Sequence, residues 1–159
     1  MLIFAPKASS DLAARVVNAL GETLAPSEER EFESGEHKMR PLVDVCNEDV
    51  YVVQNLCGDP DASANDKLCR LLFFAGALKD AGAGRVTAIT PYLAYARKDR
   101  RTQPRDPVTT RYVAVLMEAM GIDRVVALEL HDEPAFDNSF RCQALRLDAA
   151  GVFAAEIAR

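Results

Sequence analysis

Val86-Thr87-Ala88-Ile89-Thr90-Pro91-Tyr92-Leu93-Ala94-Tyr95-Ala96-Arg97-Lys98-Asp99-Arg100-Arg101 opens as a short β-branched run and turns, without a second apolar segment, into a loop crowded with positive charge. Such a run, apolar at nearly every position, reads as a central strand covered on both faces. Three other segments have the same character: Leu2–Ala5, Val50–Val53 and Val125–Leu130. Between them lie stretches with a helical period. Residues 65–81 place Leu68, Leu71, Leu72, Ala75 and Leu78 on one stripe, with Gly82 and Gly84 positioned to end it. A second helix is expected to open at Asp106-Pro107, a capping residue followed by proline, and to run through Val113, Leu116, Met117 and Met120 to Gly121. An earlier one starts near Ser9-Ser10-Asp11 and carries Leu12, Val16, Leu20 and Leu24. Strands alternating with helices imply an α/β fold with a largely parallel sheet flanked by helices. Glu31–His37, alternating around Ser34-Gly35, breaks that alternation and reads as a hairpin or tight turn.

The chain has 159 residues, 49% of them hydrophobic, enough for one domain with a sizeable core. No apolar run approaches the roughly 20 residues of a spanning helix. The N-terminus lacks the basic lead of a secretory signal, so a cytoplasmic protein away from membranes is expected. Cys46, Cys57, Cys69 and Cys142 form no C-x-x-C pair, which argues for reduced thiols rather than a zinc site or a disulfide framework. The tail from Ala149 to Arg159 starts a helix with Val152, Phe153 and Ile157 as its apolar positions; it reads as the beginning of a truncated or missing second domain after a first unit of residues 1–148.

Net charge is −5, yet Arg97 to Asp106 holds five basic and two acidic residues, a local +3, so the rest of the chain carries −8. Like charges about 4 Å apart repel by roughly 4 kcal/mol at an effective dielectric near 20, so such a loop gains order when a multivalent anion enters it. Arginine forks bind phosphate oxygens in pairs, and Arg97, Arg100 and Arg101 are spaced to surround a phosphate chain. A charge run of this kind is often only a solvated loop, but this one sits at the carboxyl end of a strand, where open parallel sheets bind ligands. A nucleic-acid patch fits poorly with the acidic remainder and with Tyr92 and Tyr95 as the only nearby aromatics. The second informative strand end is Leu130-His131-Asp132-Glu133. His131 there is suited to bind a divalent metal, to act as acid or base, to donate to a phosphate, or simply to end a strand; Asp132 and Glu133 are candidates for a magnesium ion or for plain solvation. Neither G-x-x-x-x-G-K-[ST] nor G-x-G-x-x-G occurs, so a nucleotide would be held by side chains.

Pro91-Tyr92…Tyr95-Ala96-Arg97-Lys98-Asp99-Arg100-Arg101 resembles the corresponding segment of ribose-phosphate diphosphokinases (PRPP synthetases). Phe32-Glu33-Ser34-Gly35-Glu36, Glu48–Gln54 and Leu130-His131 follow in the family's order and spacing. The resemblance covers nearly the whole chain and implies the family's phosphoribosyltransferase-like N-terminal domain, in a divergent bacterial branch. It implies that Phe32 stacks on adenine, with Ser34 and Glu36 hydrogen bonding, all from a neighbouring subunit of a homo-oligomer. Arg97 would meet the ATP phosphates, with Lys98 and Arg101 beside them. His131 would help bind the magnesium, and Arg97 and His131 would act in catalysis. Arg100, Arg101 and Arg105 are also candidates for an effector phosphate site or for solvent. The implied reaction moves a diphosphoryl group from Mg-ATP to ribose 5-phosphate, giving PRPP and AMP. Lys98 stands where glutamine is usual, Ser34 where aspartate is usual and Cys46 where arginine is common, and Asp132-Glu133-Pro134 is unlike the family's small polar residues. The family's second half, with its ribose 5-phosphate loop, a further metal-binding aspartate and a flexible basic loop, is not within these residues, so the chain alone is expected to be inactive. The rival reading is a half-length, non-catalytic partner that assembles with full-length subunits.

Overall fold

A computed structural model describes all residues, 1–159. In chain order the elements are β1 (Leu2–Phe4), α1 (Ser10–Leu20), β2 (Ser27–Glu31), β3 (His37–Pro41), β4 (Asp49–Val53), α2 (Ala64–Asp80), β5 (Arg85–Thr90), α3 (Thr109–Ala119), β6 (Arg124–Leu128), α4 (Glu133–Ser139), β7 (Gln143–Leu147) and α5 (Ala150–Ile157). Five strands form one parallel sheet in the order β1-β4-β5-β6-β7. Each new strand adds beside the last, so every crossover steps in the same direction. β2 and β3 pair antiparallel as a separate hairpin, with Glu31 opposite His37. No helix is long and apolar enough to cross a membrane.

The pleat sorts side chains onto two faces. Phe4, Val50, Val52, Val86, Ala88, Val125 and Ala127 belong to the main core, with Leu68, Leu71, Phe74, Ala75 and Leu78 of α2, Val113 and Met117 of α3, and Phe136 of α4. Phe4 and Phe74 meet edge to face at 5.5 Å. On the other face Ile3 and Val53 form a smaller cluster with Ala13 and Val17 of α1. That helix covers only the β1–β4 side. Farther along the same face Leu128, Leu145 and Leu147 stay exposed, Leu147 by 53%.

The central strands and the α2 stripe agree with the sequence reading; other elements differ in instructive ways. The inward residues of α1 are Ala13 and Val17, while Leu20 is exposed and Leu24 lies past the end, because Gly21 at φ +70° stops the helix. Helix α3 begins at Thr109 and not at Asp106-Pro107; its N-cap, Val108, accepts no side-chain bond. Asp106 is engaged in the preceding loop, as described below. Strand β6 ends at Leu128, and α4 and β7 are additional elements. Asp132 caps α4 by accepting from the Ala135 amide at 2.8 Å.

Two polar devices fix α2. Ser63 and Asp66 form a reciprocal capping box at 3.1 and 2.9 Å. Lys67, 2% exposed, is satisfied by the Cys57 carbonyl at 2.6 Å and by Asp59. On α2, a Cβ at Gly76 would lie 2.6 Å from the methyl of Met120, just beyond α3, a contact that a shift of that flexible side chain would relieve. Burial, helped by the Glu118 carboxylate, pushes the Cys142 thiol up to about 11, which keeps it protonated and unreactive at neutral pH.

Phe74→Ala removes the ring that joins α2 to β1 and should cost about 3–5 kcal/mol of unfolding free energy in urea denaturation. A loss below about 1 kcal/mol would contradict the core assignment.

Candidate functional site

The parallel pairing of β5 with β6, Thr90 opposite Ala127, brings both carboxyl ends to one edge of the sheet. After β5 the chain is held against its neighbours: the Pro91 carbonyl accepts from the Leu128 amide at 3.3 Å and the Tyr92 carbonyl from the Leu56 amide at 3.2 Å. Leu93 and Ala94 are buried as anchors. Tyr95 then takes a left-handed conformation, φ +64°. Its hydroxyl donates to Asn65 Oδ1, and its carbonyl accepts from the Thr110 hydroxyl at 3.0 Å. After β6, Glu129 is also left-handed, φ +49°, just before Leu130 and His131. Non-glycine residues in this region are uncommon and strained; Glu129 lines a cleft between the two strand ends, and Tyr95 directly precedes two of that cleft's lining residues, Ala96 and Arg97.

That cleft has a volume of about 440 Å³ and is lined by Tyr92, Leu93, Ala96 and Arg97 on the β5 side and Leu128, Glu129, Leu130 and His131 on the β6 side. Arg97 and His131, chosen from sequence as the two central residues, therefore face a common space. Neither makes an ion pair. No convergence of three or more His, Cys, Asp or Glu side chains capable of holding a metal by themselves occurs. Within the cleft the metal-compatible side chains are His131 and Glu129, and one Glu129 oxygen accepts from the Ala149 amide at 2.6 Å. Asp132 and Glu133, sequence candidates for magnesium, are otherwise committed: Asp132 to the α4 cap and Glu133 to Arg146.

The basic loop is organised around Asp106. One of its carboxylate oxygens accepts from Lys98 Nζ at 2.6 Å, the Thr102 hydroxyl at 2.7 Å, and the Thr102 and Gln103 amides at 3.0 Å each. The Lys98 bond above all, then those from Thr102 and Gln103, hold its carboxyl well below the usual range. The Lys98 ammonium is thus directed into its own loop. It is not among the residues that line the cleft. Among the loop's five cations only Lys98 has a carboxylate partner; Arg101 donates to the Asp106 carbonyl at 3.3 Å. Arg100, Arg101 and Arg105 are exposed and lie outside the Arg97–His131 cleft.

Phe32, Ser34 and Glu36 sit at the tip of the β2–β3 hairpin. Phe32 is 41% exposed, with the Arg30 guanidinium 5.1 Å from its ring centre. Ser34 donates to Glu36 at 2.8 Å. Midway along the hairpin Glu29 accepts from His37 Nε2 at 2.9 Å, Arg70 at 3.4 Å and the Lys7 amide at 2.6 Å, while Met39 opposite it is buried in the main core. The tip residues therefore form a group separate from the cleft within one chain. Sequence reasoning missed Glu129, Asp106 as the loop's hub, and Thr110, whose hydroxyl lies 3.0 Å from the Tyr95 carbonyl and 3.2 Å from that of Lys98. The first carries no local signal; the others share the pattern of a short polar side chain beside a turn.

The chain is similar to ribose-phosphate pyrophosphokinases of Campylobacter jejuni, 38% identical over 129 residues, and Chromobacterium violaceum, 39% identical over 132. These alignments cover 81% and 82% of this chain but 40% and 39% of the relatives, so the chain spans about two fifths of their length. The crystal structure of phosphoribosylpyrophosphate synthetase from Mycobacterium smegmatis superposes with a TM-score of 0.90 at 30% identity, over 98% of this chain and 51% of that one. The family profile for the N-terminal domain of ribose phosphate pyrophosphokinase matches residues 1–121. With a shared parallel sheet and a profile spanning most of its length, the chain belongs to the ribose-phosphate pyrophosphokinase family.

Proposed function

We propose that this chain is the ATP-binding half of a ribose-phosphate diphosphokinase, cytoplasmic and homo-oligomeric, whose complete form transfers diphosphate from Mg-ATP to the C1 hydroxyl of ribose 5-phosphate, giving PRPP and AMP. The carrying observation is the cleft in which Arg97 and His131 face each other across the tips of β5 and β6. An unpaired guanidinium at that edge supplies the fixed positive charge that phosphoryl transfer depends on. The donor set is compatible with a magnesium ion that keeps most of its waters and is shared with substrate phosphates, since Glu129 offers a carboxylate and His131 one ring nitrogen to the same cleft. Magnesium bound there with the nucleotide would neutralise phosphate charge. Arg97 would orient the phosphates, and Leu93, Ala96, Leu128 and Leu130 would keep the floor of the cleft apolar.

The exposed Phe32 ring supports a role for the hairpin tip in adenine binding. Because that tip forms its own group apart from the cleft, it would serve the site of a neighbouring subunit. Exposed Phe73, Tyr112, Val115 and Leu116 on α2 and α3 favour association of copies. Residues 1–148 form the nucleotide domain in this reading, with 149–159 leading toward a second domain that supplies the ribose 5-phosphate site. The alternative of a non-catalytic assembly partner uses the same hairpin tip and dispenses with the cleft.

Mg-ATP should raise the thermal midpoint of the chain, and more than adenosine does; equal stabilisation by adenosine would remove the phosphates from the account. Arg97→Ala in a version carrying the second domain should reduce kcat/KM by roughly 100-fold or more, the scale of losing one transition-state charge contact. Unchanged kinetics would exclude Arg97 from the site. Phe32→Ala should weaken ATP binding only in assembled subunits, a difference that titrations above and below the association range would reveal.

A further inference from the structure

We propose that Asp106 and Lys98 form a clasp that closes residues 98–106 into a ring and so positions the loop's arginines before any anion arrives. The inference rests on the polyphosphate role proposed above and adds a positioning pair to it. Residues 91–108 lack regular secondary structure, yet they carry Arg97, Arg100, Arg101 and Arg105, whose mutual repulsion favours a spread loop. Two sets of bonds oppose it. Asp106 gathers Lys98, Thr102 and Gln103 on a single oxygen, and the Lys98 ammonium also donates to the Thr102 hydroxyl at 3.1 Å. On the opposite side the Lys98 carbonyl accepts from the amide and hydroxyl of Thr110, at the buried start of α3. Lys98 is therefore held at both its side chain and its backbone, and the loop is tied to a helix that is itself part of the core. Left-handed Tyr95, φ +64°, turns the chain ahead of the ring, and left-handed Arg105, φ +71°, turns it within the ring, directly before Asp106. The low pKa of Asp106 keeps the clasp closed throughout the neutral range.

The sign of one substitution separates this clasp from simple charge counting. Asp106→Asn removes a negative charge from a basic loop, so Coulomb attraction alone predicts tighter binding of a polyanion. A positioning clasp predicts the reverse. In the full 159-residue chain, titration with magnesium tripolyphosphate should show Asp106→Asn binding about tenfold more weakly than wild type, the scale of one charge-assisted hydrogen bond, at an unchanged thermal midpoint. Without ligand, trypsin should cut faster after Arg100, Arg101 or Arg105 in both Asp106→Asn and Lys98→Met, and the double variant should be cut no faster than either single one. Equal or tighter binding by Asp106→Asn with wild-type cleavage rates would overturn the clasp. A wild-type chain that ignores tripolyphosphate would instead refute the polyphosphate reading, while the cleavage rates would still decide whether the clasp exists.

Discussion

The register between β5 and β6, running from Thr87 opposite Arg124 to Thr90 opposite Ala127, is the constraint on which the cleft depends. A parallel pair must send both chains out of the sheet at the same edge, and adjacency leaves only about 5 Å between the two exits. Everything chemical about the molecule then follows from what each strand releases there: a buried Leu93-Ala94 anchor and a turn to Arg97 from one, a strained Glu129 and His131 from the other. A register slip of one residue would turn Val125 and Ala127 out of the main core, so the packing that stabilises the sheet also protects the pairing of the two exits.

Around that edge the protein handles charge unevenly. Elsewhere more than half of its cations find carboxylates, among them Arg85 with Asp49, Lys79 with Asp123, Arg146 with Glu133 and Asp137, and Arg70 with Glu29 and Glu31. In the loop beyond β5, one lysine alone is paired and four arginines have no carboxylate partner. Surface pairs of this kind contribute little stability, so pairing all the arginines would gain little for the fold. Leaving them unpaired keeps a concentrated positive field in the loop that leaves β5, in a chain that is acidic as a whole.

The elements legible in the sequence are those whose signal is dense and local. β4 and β5 are short β-branched runs with buried residues on both faces, β6 is a similar run buried on one face, and α2 repeats its apolar stripe over 17 residues. The hairpin announces itself by polar alternation around Ser34-Gly35. Helix α1 was harder, since its small inward residues Ala13 and Val17 carry less apolar weight than Leu12 and Leu20, which are prominent in sequence and less buried in fact. Asp106-Pro107 looks like a helix start because a short acid before proline is the usual cap; here a basic loop competes for the same carboxylate and wins with four donors. β7 escaped notice because Gln143, Arg146 and an exposed Leu147 do not resemble a buried strand, and α4 because seven residues are too few to establish a period. The convergence of Arg97 and His131 follows once two strands are taken as neighbours, whereas the left-handed turn at Glu129 depends on surroundings that no short window of sequence contains.

The one-sided cover of the sheet makes the domain mechanically graded. β1 and β4 are gripped between α1 and α2, but β6 and β7 have helices against one face and leave Leu128, Leu145 and Leu147 toward water on the other, with β7 an edge strand. Local opening then costs least at the β7 end and most around β4, and amide protons would exchange along that slope. The cleft lies between the two regimes, with its arginine wall rooted nearer the rigid half and its histidine wall nearer the soft one, so breathing of the outer strands alters the width of the mouth without disturbing the core that carries it.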